Sequence, residues 1–253
     1  MLSSLANGLR VLEYLIDQGE AGVSETARAL KLTVGTTHRL VGTLVEAGFV
    51  SQNASNRKYR PTSKMTDLAR ASRGDIDFIG AAHPFLERLQ NTSGETVNLA
   101  VLRDNSVVYI DRAVSDQPLS VAVKIGSRVP AYCTSLGRAL LAFGPELVRS
   151  RYLAHLQQIA AKEVQEAPSK RDLARMLDDA RARGFADDDG EFYPDIACYS
   201  APLLGRSGEA EAAISISGPR ARMRQRQADL VPLVQVTAKE LSDLLQSVGD
   251  VHL

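Results

Sequence analysis

Thr36–Val50, with the sequence TTHRLVGTLVEAGFV, is the segment that decides the fold of the first part of the chain. Its apolar residues recur at helical spacing as far as Gly48, and glycine commonly ends a helix. Two short strand-like segments follow, 49–52 and 58–60, joined by the polar turn 53–56. A helix that leads directly into a short hairpin is typical of a winged DNA-binding domain.

Two amphipathic helices are predicted upstream of this segment. The first ends at the Gly19 turn signal, and the second is short and ends near Lys31. Three small helices followed by a hairpin predict a winged helix-turn-helix domain over residues 1–62, whose third helix enters the major groove while the wing follows the phosphates. The apolar face of the first helix is expected to consist of Leu5, Leu9, Leu12 and Ile16, with Val11 and Leu15 beside them.

Candidate DNA-contacting residues lie on the third helix and on the wing. Hydroxyls and one guanidinium on the outward helix face can reach phosphates or base edges, whereas basic wing residues make sequence-independent phosphate contacts. Each group alone would equally suit a solvated surface, but the two together favour DNA binding. The candidates are Thr36, Thr37, His38, Arg39, Arg57, Lys58 and Arg60.

The charge of the chain is balanced overall but not along its length. Thirty Lys and Arg residues face thirty Asp and Glu residues, which excludes binding to nucleic acid through bulk charge. Residues 1–74 contain ten basic and six acidic residues, a net charge of +4. The remainder contains twenty basic and twenty-four acidic residues, a net charge of −4. The basic surplus therefore belongs to the predicted DNA-binding part.

The composition places further limits on the class of protein. A hydrophobic content of 44% excludes a disordered chain. The sequence contains no apolar run long enough for a membrane span and no signal peptide, so a cytoplasmic location is expected. The two cysteines, Cys133 and Cys198, are expected to be free thiols.

After residue 75 the pattern alternates between strands and helices, which predicts an α+β domain. The strand-like segments have alternating polarity, and polar turns separate several of them. Strands are predicted at 96–102, 107–112, 119–123, 198–204 and 212–217, and helices at 79–90, 135–143, 170–183 and 223–247.

Segments throughout the chain resemble the IclR family of bacterial transcriptional regulators, in order and in spacing. Besides the segment quoted first, they are LRVLEYL (9–15), SETARAL (24–30), RKYRPT (57–62), GETVNLAVLRDNSVVYIDR (94–112), GSRVPAYCTSLGRALLA (126–142), RARGFADDDGEFYPDIACYSAPL (181–203) and AAISISGPRARM (212–223).

The resemblance implies a ligand-responsive transcriptional regulator of a catabolic operon, without enzyme activity, cofactor or metal. It implies a GAF/PAS-like effector-binding domain over 76–253. Met65, Leu68 and Ala69 recur at helical spacing, which predicts a linker helix over 63–75 whose apolar side packs on a partner chain. The implied partners are a palindromic double-stranded DNA operator, a small organic acid, and further copies of the chain in a homodimer or homotetramer. No membrane is involved.

The effector site is predicted from polar residues in apolar surroundings. Ser215 and Ser217 share one strand face, which indicates either a half-exposed strand or hydroxyls that donate to a carboxylate. The helix that begins near Ser135 offers unpaired N–H groups to an anion, although Ser135 could be only its N-cap. By resemblance, the effector-binding residues are Leu119, Val121, Val129, Ser135, Leu136, Asp188, Cys198, Ser215 and Ser217.

The sequence also bears on two other kinds of site. The acidic run Asp187–Glu191 lacks the spacing of a calcium loop, so a solvated loop with one inward-pointing acid is favoured over a metal site. The four histidines are scattered, which is against zinc. The alternative function is an enzyme with Cys198 as its nucleophile, and it requires a strongly lowered thiol pKa.

Overall fold

The computed structural model of the chain describes residues 3–65, 67–68, 78–118, 120, 123–161, 163 and 166–247. It divides into two compact units, Met1–Asp75 and Ile76–Leu253, and each unit is described by itself. Within the described ranges, no helix is long and apolar enough to cross a bilayer.

Over residues 3–61 the N-terminal unit has three helices and an antiparallel hairpin, which confirms the predicted winged helix-turn-helix. The third helix begins after Thr33, whose hydroxyl accepts a hydrogen bond from the Thr36 N–H at 3.2 Å, and Gly48 follows it with φ +77°. Its elements are α1 (Ser3–Gln18), α2 (Val23–Leu30), α3 (Val34–Glu46), β1 (Val50–Gln52) and β2 (Tyr59–Pro61).

Helix α1 buries only part of its predicted apolar face in this core, and Ile16, also predicted on that face, is exposed. Val11, Leu12 and Leu15 are buried, whereas Leu5 and Leu9 are 62% and 52% exposed. The apolar stripe of α1 is wider than the area that α3 and the hairpin cover, so its N-terminal leucines remain at the surface. Most of the predicted linker helix, 63–75, lies outside the described residues.

The C-terminal unit is an α+β domain, as predicted, built on one six-stranded antiparallel sheet with the order β5-β4-β3-β8-β7-β6. Its strands are β3 (Thr96–Arg103), β4 (Ser106–Ala113), β5 (Arg128–Pro130), β6 (Ala186–Asp188), β7 (Ile196–Leu204) and β8 (Ala210–Pro219). Its helices are α4 (Phe78–Ser93), α5 (Ser135–Phe143), α6 (Glu146–Ala160), α7 (Lys170–Arg183), α8 (Arg220–Gln225) and α9 (Gln227–Ser247).

Helices cover both faces of this sheet. Helices α4 and α9 pack on one face, where Leu86, Leu99, Ile214 and Leu241 belong to one apolar cluster. Helices α5, α6 and α7 form the second cluster on the other face. Both faces of the central strands are therefore buried, so polar side chains on them cannot simply face solvent.

Several elements differ from the predicted ones. Helix α4 runs to Ser93, beyond its predicted end at residue 90, and the predicted final helix is two helices that meet at Arg226. Helix α6 and strands β5 and β6 were not predicted, because α6 has weak amphipathicity and each of the two strands has only three residues. The predicted strand 119–123 lies mostly outside the described residues.

Helix α5 lies very close to the loop that precedes it. A Cβ atom on Gly137 would stand 2.3 Å from both the Cα and the carbonyl oxygen of Ala131. These are backbone atoms with little freedom to move away. Glycine at this position therefore lets the first turn of α5 pack directly on the chain that leads into it.

We expect Gly137→Ala to destabilise the C-terminal unit by about 1–3 kcal/mol, because the added methyl group collides with backbone. Its melting temperature, followed by circular dichroism, should fall by several degrees. The control is Gly42→Ala in α3, where nothing lies within 4 Å of the added atom. That change should stabilise its helix slightly, and equal effects of both variants would contradict the packing argument.

Candidate functional site

The exposed part of helix α3 is smaller than predicted. His38 and Arg39 are exposed and Thr36 is half-buried, but Thr37 is fully buried. The Thr37 hydroxyl donates to the Thr33 carbonyl oxygen at 3.0 Å. Thr37 lies one turn before the core residue Val41, so it belongs to the inward face and the prediction that it faces outward is wrong.

The wing presents its three predicted cations to solvent. Arg57, Lys58 and Arg60 are all exposed, and Arg57 forms the end of the turn with φ +58°. The Lys58 ammonium lies 3.8 Å from the Glu25 carboxylate. An ion pair between exposed groups is weak, so Lys58 can exchange this partner for a phosphate at little cost.

A residue outside the predicted set holds the wing in place. The two carboxylate oxygens of Glu20 accept hydrogen bonds from the side-chain amides of Asn53 at 2.8 Å and Asn56 at 2.9 Å. These bonds lower the pKa of Glu20. Tyr59, the first residue of β2, and Ala21 also exchange two backbone hydrogen bonds, so the hairpin is held both at its turn and along β2.

A small cavity of about 20 Å³ lies in the C-terminal unit between the start of α5, the acidic loop and the central strands. It brings together six of the nine predicted effector residues. Val129 is buried elsewhere in β5, and Leu119 and Val121 lie outside the described residues. The described lining consists of Asn98, Tyr109, Val123, Thr134, Ser135, Leu136, Asp188, Phe192, Tyr193, Ile196, Cys198, Ser215 and Ser217.

The two serines of β8 are buried rather than half-exposed. Ser215 is 1% exposed and Ser217 is 4% exposed. In the sheet register Ser215 lies between Asn98 of β3 and Ser200 of β7, and Ser217 pairs with Cys198. The interpretation of these serines as the wet side of a strand is therefore wrong, and the sheet gathers polar side chains from three strands on one face.

The beginning of α5 supplies N–H groups to the same region. Thr134, not Ser135, is the N-cap, since its hydroxyl accepts from the Gly137 N–H at 3.2 Å. The Ser135 hydroxyl instead accepts a hydrogen bond from Ser200 at 2.6 Å. Within the described part of the chain, the N–H groups of Ser135 and Leu136 make no hydrogen bond.

Arginines hold three of the four acids in the acidic loop. Asp187 pairs with Arg183, Asp189 with Arg224, and Glu191 with Arg138. The fourth acid, Asp188, is buried against the cavity, as the expected inward-pointing acid.

Asp188 lies in an environment that favours its neutral form. Burial and a hydrogen bond to Glu191 raise its pKa to about 8. The Asp188 Oδ1 atom accepts the N–H groups of Gly190 at 3.1 Å and Glu191 at 2.9 Å. A protonated Asp188 can donate a hydrogen bond, which an ionised carboxylate cannot do.

The cysteines show no sign of nucleophilic activation. Burial raises the pKa of Cys198 to about 12, and burial likewise raises the pKa of Cys133 to about 12. A catalytic thiol needs the opposite shift. Cys198 therefore contributes to the cavity wall as a neutral thiol.

Several cavity residues were not predicted from the sequence, and Asn98 is the most informative of them. Asn98 interrupts the apolar alternation of β3, as the serines interrupt that of β8, and the same criterion would have found it. Tyr109, Phe192, Tyr193 and Ile196 carry no such signal, because aromatic and apolar residues are common in strands and loops alike.

Comparison with known proteins assigns both units of the chain to one family. The model of the bacterial transcriptional regulator IclR C-terminal domain matches residues 71–243, and the model of the IclR helix-turn-helix domain matches residues 4–54. The chain belongs to the IclR family of bacterial transcriptional regulators. Its IclR-family membership confirms a DNA-binding regulator with a C-terminal effector domain, and the alternative of a cysteine-dependent enzyme is wrong.

IclR-family relatives match the chain over nearly its whole length. The HTH-type transcriptional repressor AllR of Klebsiella pneumoniae is 32% identical, over 96% of this chain and 89% of its own. The crystal structure of Thermotoga maritima IclR is 27% identical with a TM-score of 0.75, covering 97% and 99% of the two chains. An IclR homologue from Microbacterium hydrocarbonoxydans, solved with 4-hydroxybenzoate, is 25% identical with a TM-score of 0.79, covering 96% and 98%.

The neutral state of Asp188 in this IclR-family chain has a consequence for stability. The pKa of Asp188 rises from 3.8 to about 8 on folding, so its contribution to stability falls as the pH rises from about 4 to about 8. The lowered pKa of Glu191, about 2, acts in the opposite direction, but only below about pH 4.5. Between pH 5 and pH 8, therefore, the stability contributed by Asp188 falls as the pH rises, without an opposing contribution from Glu191.

We expect Asp188→Asn to remove this loss, because asparagine mimics the protonated acid. The difference in melting temperature, variant minus native protein, should be roughly 5 °C larger at pH 8 than at pH 5. Differential scanning fluorimetry across that range measures it, with the exposed Asp116→Asn as the matched control. Parallel pH profiles for native protein and Asp188→Asn would refute the assignment.

Proposed function

We propose that this protein controls a catabolic operon in the cytoplasm by binding a palindromic operator as a homodimer or homotetramer, with a small organic acid as its effector. The observation that carries the proposal is the presence, in one chain, of a winged helix with exposed cations and a buried polar cavity in a separate unit. The first can contact DNA, and the second has groups suited to a small acid.

The exposed cations divide into two roles. Arg39 and His38 extend from α3, the helix that enters the major groove in this class of domain, and are proposed to contact base edges with Thr36. The wing residues Arg57 and Lys58 are proposed to contact phosphates, together with Arg60. The bonds from Glu20 to the hairpin support this role, since they fix the direction in which the wing points.

An apolar groove on the N-terminal unit supports association of two chains. It has a volume of about 1020 Å³ and is lined by the exposed Leu5 and Leu9 of α1, by Leu44 of α3, and by Met65 and Leu68. One short helix contacts few base pairs, so two copies on two half-sites are needed for specific binding. Covering the groove with a second copy would bury these leucines and bring two winged domains together.

The cavity of the C-terminal unit favours an organic acid. The N–H groups of Ser135 and Leu136, which make no hydrogen bond among the described residues, lie at the start of a helix, where the helix dipole attracts an anion. Hydroxyls from Ser215 and Ser217 add further donors. The homologue solved with 4-hydroxybenzoate binds a molecule of this class. An acid changes operator binding only as far as it binds two states of the protein with different affinity.

We expect Arg39→Ala to weaken binding to DNA from the upstream region of its own gene by roughly 5- to 150-fold, with little effect on unrelated DNA. Lys58→Ala should weaken binding to both DNAs and reduce the salt dependence by about one unit of slope. Fluorescence anisotropy at several salt concentrations measures both, and Lys170→Ala in the C-terminal unit is the control. Unchanged binding after replacing Arg39 and all three wing cations would refute the DNA-contact assignment.

We expect Leu9→Asp to dissociate the proposed dimer, because it places a carboxylate in the apolar groove. Sedimentation velocity should then show smaller species, and operator affinity should fall. Ile16→Asp is the matched control, since Ile16 is exposed on the same helix but does not line the groove. If both variants keep the assembly of the native protein, the groove is not the interface.

A further inference from the structure

Asn98 has a buried polar atom that the fold leaves without a partner. The residue lies in the middle of β3 and is 2% exposed. Its side-chain amide donates to the hydroxyls of Ser215 at 3.4 Å and Ser217 at 3.3 Å. Its Oδ1 atom accepts no hydrogen bond, and it is the one fully buried side-chain nitrogen or oxygen in the described part of the chain with none.

A buried carbonyl oxygen without a hydrogen bond destabilises a protein, and β3 would be more stable with an apolar residue at this position. Asn98 lines the same cavity as Ser135 and Asp188. The unpaired oxygen therefore belongs to a wall that a ligand would touch. An unsatisfied group in such a place indicates a binding function rather than a packing role.

The surroundings of Asn98 limit the chemical group that can pair with it. No Lys, Arg or His is among the described residues of the lining. The amide of Asn98 already donates to the serine hydroxyls of β8, which can act as donors and as acceptors. A neutral group that both donates and accepts fits this environment. A hydroxyl does so, and it would pair with the amide of Asn98 in either of its two orientations.

We propose that Asn98 recognises a hydroxyl group of the effector, and that the effector is therefore a hydroxy acid. The inference rests on the proposed function, because it assumes that an acid binds in this cavity. The carboxylate would lie at the N–H groups of Ser135 and Leu136, and the hydroxyl would donate to Asn98 Oδ1. Asn98 is then a specificity-determining residue, since an acid without the hydroxyl leaves its oxygen unpaired.

Binding requires the cavity to widen. Its volume of about 20 Å³ holds about one water molecule, which is less than any organic acid needs. Phe192 and Tyr193 belong to its lining, and Tyr193 is 50% exposed, so this part of the wall reaches solvent. Asn98, by contrast, is fixed in the middle of a sheet between two paired strands.

The test uses carboxylic acids that differ in one group only. The sets are acetate, glycolate and glycine; propionate, lactate and alanine; and benzoate, 4-hydroxybenzoate and 4-aminobenzoate. Isothermal titration calorimetry on the full chain measures each affinity. We expect the hydroxy member of at least one set to bind roughly 10- to 100-fold more tightly than both other members, as for a lost hydrogen bond to a buried group.

Two variants separate recognition of the hydroxyl from a role in folding. Asn98→Leu should reduce the hydroxyl preference to within about twofold, because the acceptor is gone. Asn98→Asp keeps an acceptor oxygen but adds negative charge, so it should weaken binding of every acid and retain the preference. Asn91→Leu, an exposed site at the end of α4, is the matched control.

A measurement without ligand keeps the proposal testable whichever acid is the natural effector. Asn98→Leu removes an unpaired buried oxygen, so its melting temperature should be equal to or above that of the native protein. A fall of several degrees would assign Asn98 to folding and overturn the proposal. The proposal would also be overturned if the members of each set bound with equal affinity, if the amino member bound as tightly as the hydroxy member, or if no member bound. An unchanged hydroxyl preference in Asn98→Leu would overturn it as well.

The proposed function fails in a different way. If a hydroxy acid binds through Asn98 but leaves operator affinity unchanged, the recognition of the hydroxyl stands and the regulatory role of the site is wrong. If no DNA is bound while the hydroxyl preference persists, the operator assignment alone fails. Operator binding by fluorescence anisotropy, with and without each acid, distinguishes these cases.

Discussion

The pairing of β8 with β3 on one side and β7 on the other is the constraint on which the C-terminal unit depends. This register places Ser215 between Asn98 and Ser200 on one face, and Ile214 between Leu99 and Ala201 on the other. A slip of one residue would turn the serines into the apolar cluster below α4 and α9. The same register that fills the core therefore also assembles the polar wall of the cavity.

Keeping polar groups on a buried face requires that nearly all of them be paired. Ser135 and Ser200 pair with each other, and the acidic loop is held from outside by arginines, so that only Asp188 is turned inward. At the start of β3, Glu95 is buried and forms ion pairs with Arg222 and Arg226. These contacts fix the loops at the edge of the sheet and leave the cavity with few polar groups of its own unsatisfied.

The sequence predicted the architecture well because its signals are local. Helix α3, the hairpin and the central strands follow from periodicity and turn residues, and the family resemblance supplied the positions of Ser135, Asp188 and Ser217. Exposure was harder to predict. Thr37 was expected to be exposed but is buried, and Leu9 was expected to be buried but is exposed. The burial of a helix face depends on which neighbours cover it. Asn98 carries the same local signal as the serines of β8, but the lack of a partner for its oxygen among the described residues depends on its neighbours across the sheet and could not be predicted.

The near closure of the cavity bears on how an acid could act at a distance. Part of the free energy of every contact inside it goes into separating the walls, so measured affinity understates the strength of those contacts. The separation of the walls is also the conformational change that distinguishes the ligand-bound protein from the unbound one. A ligand that fitted a preformed cavity would leave the conformation of the domain unchanged and could not affect DNA binding. A ligand that must widen the cavity changes the conformation of the unit around it.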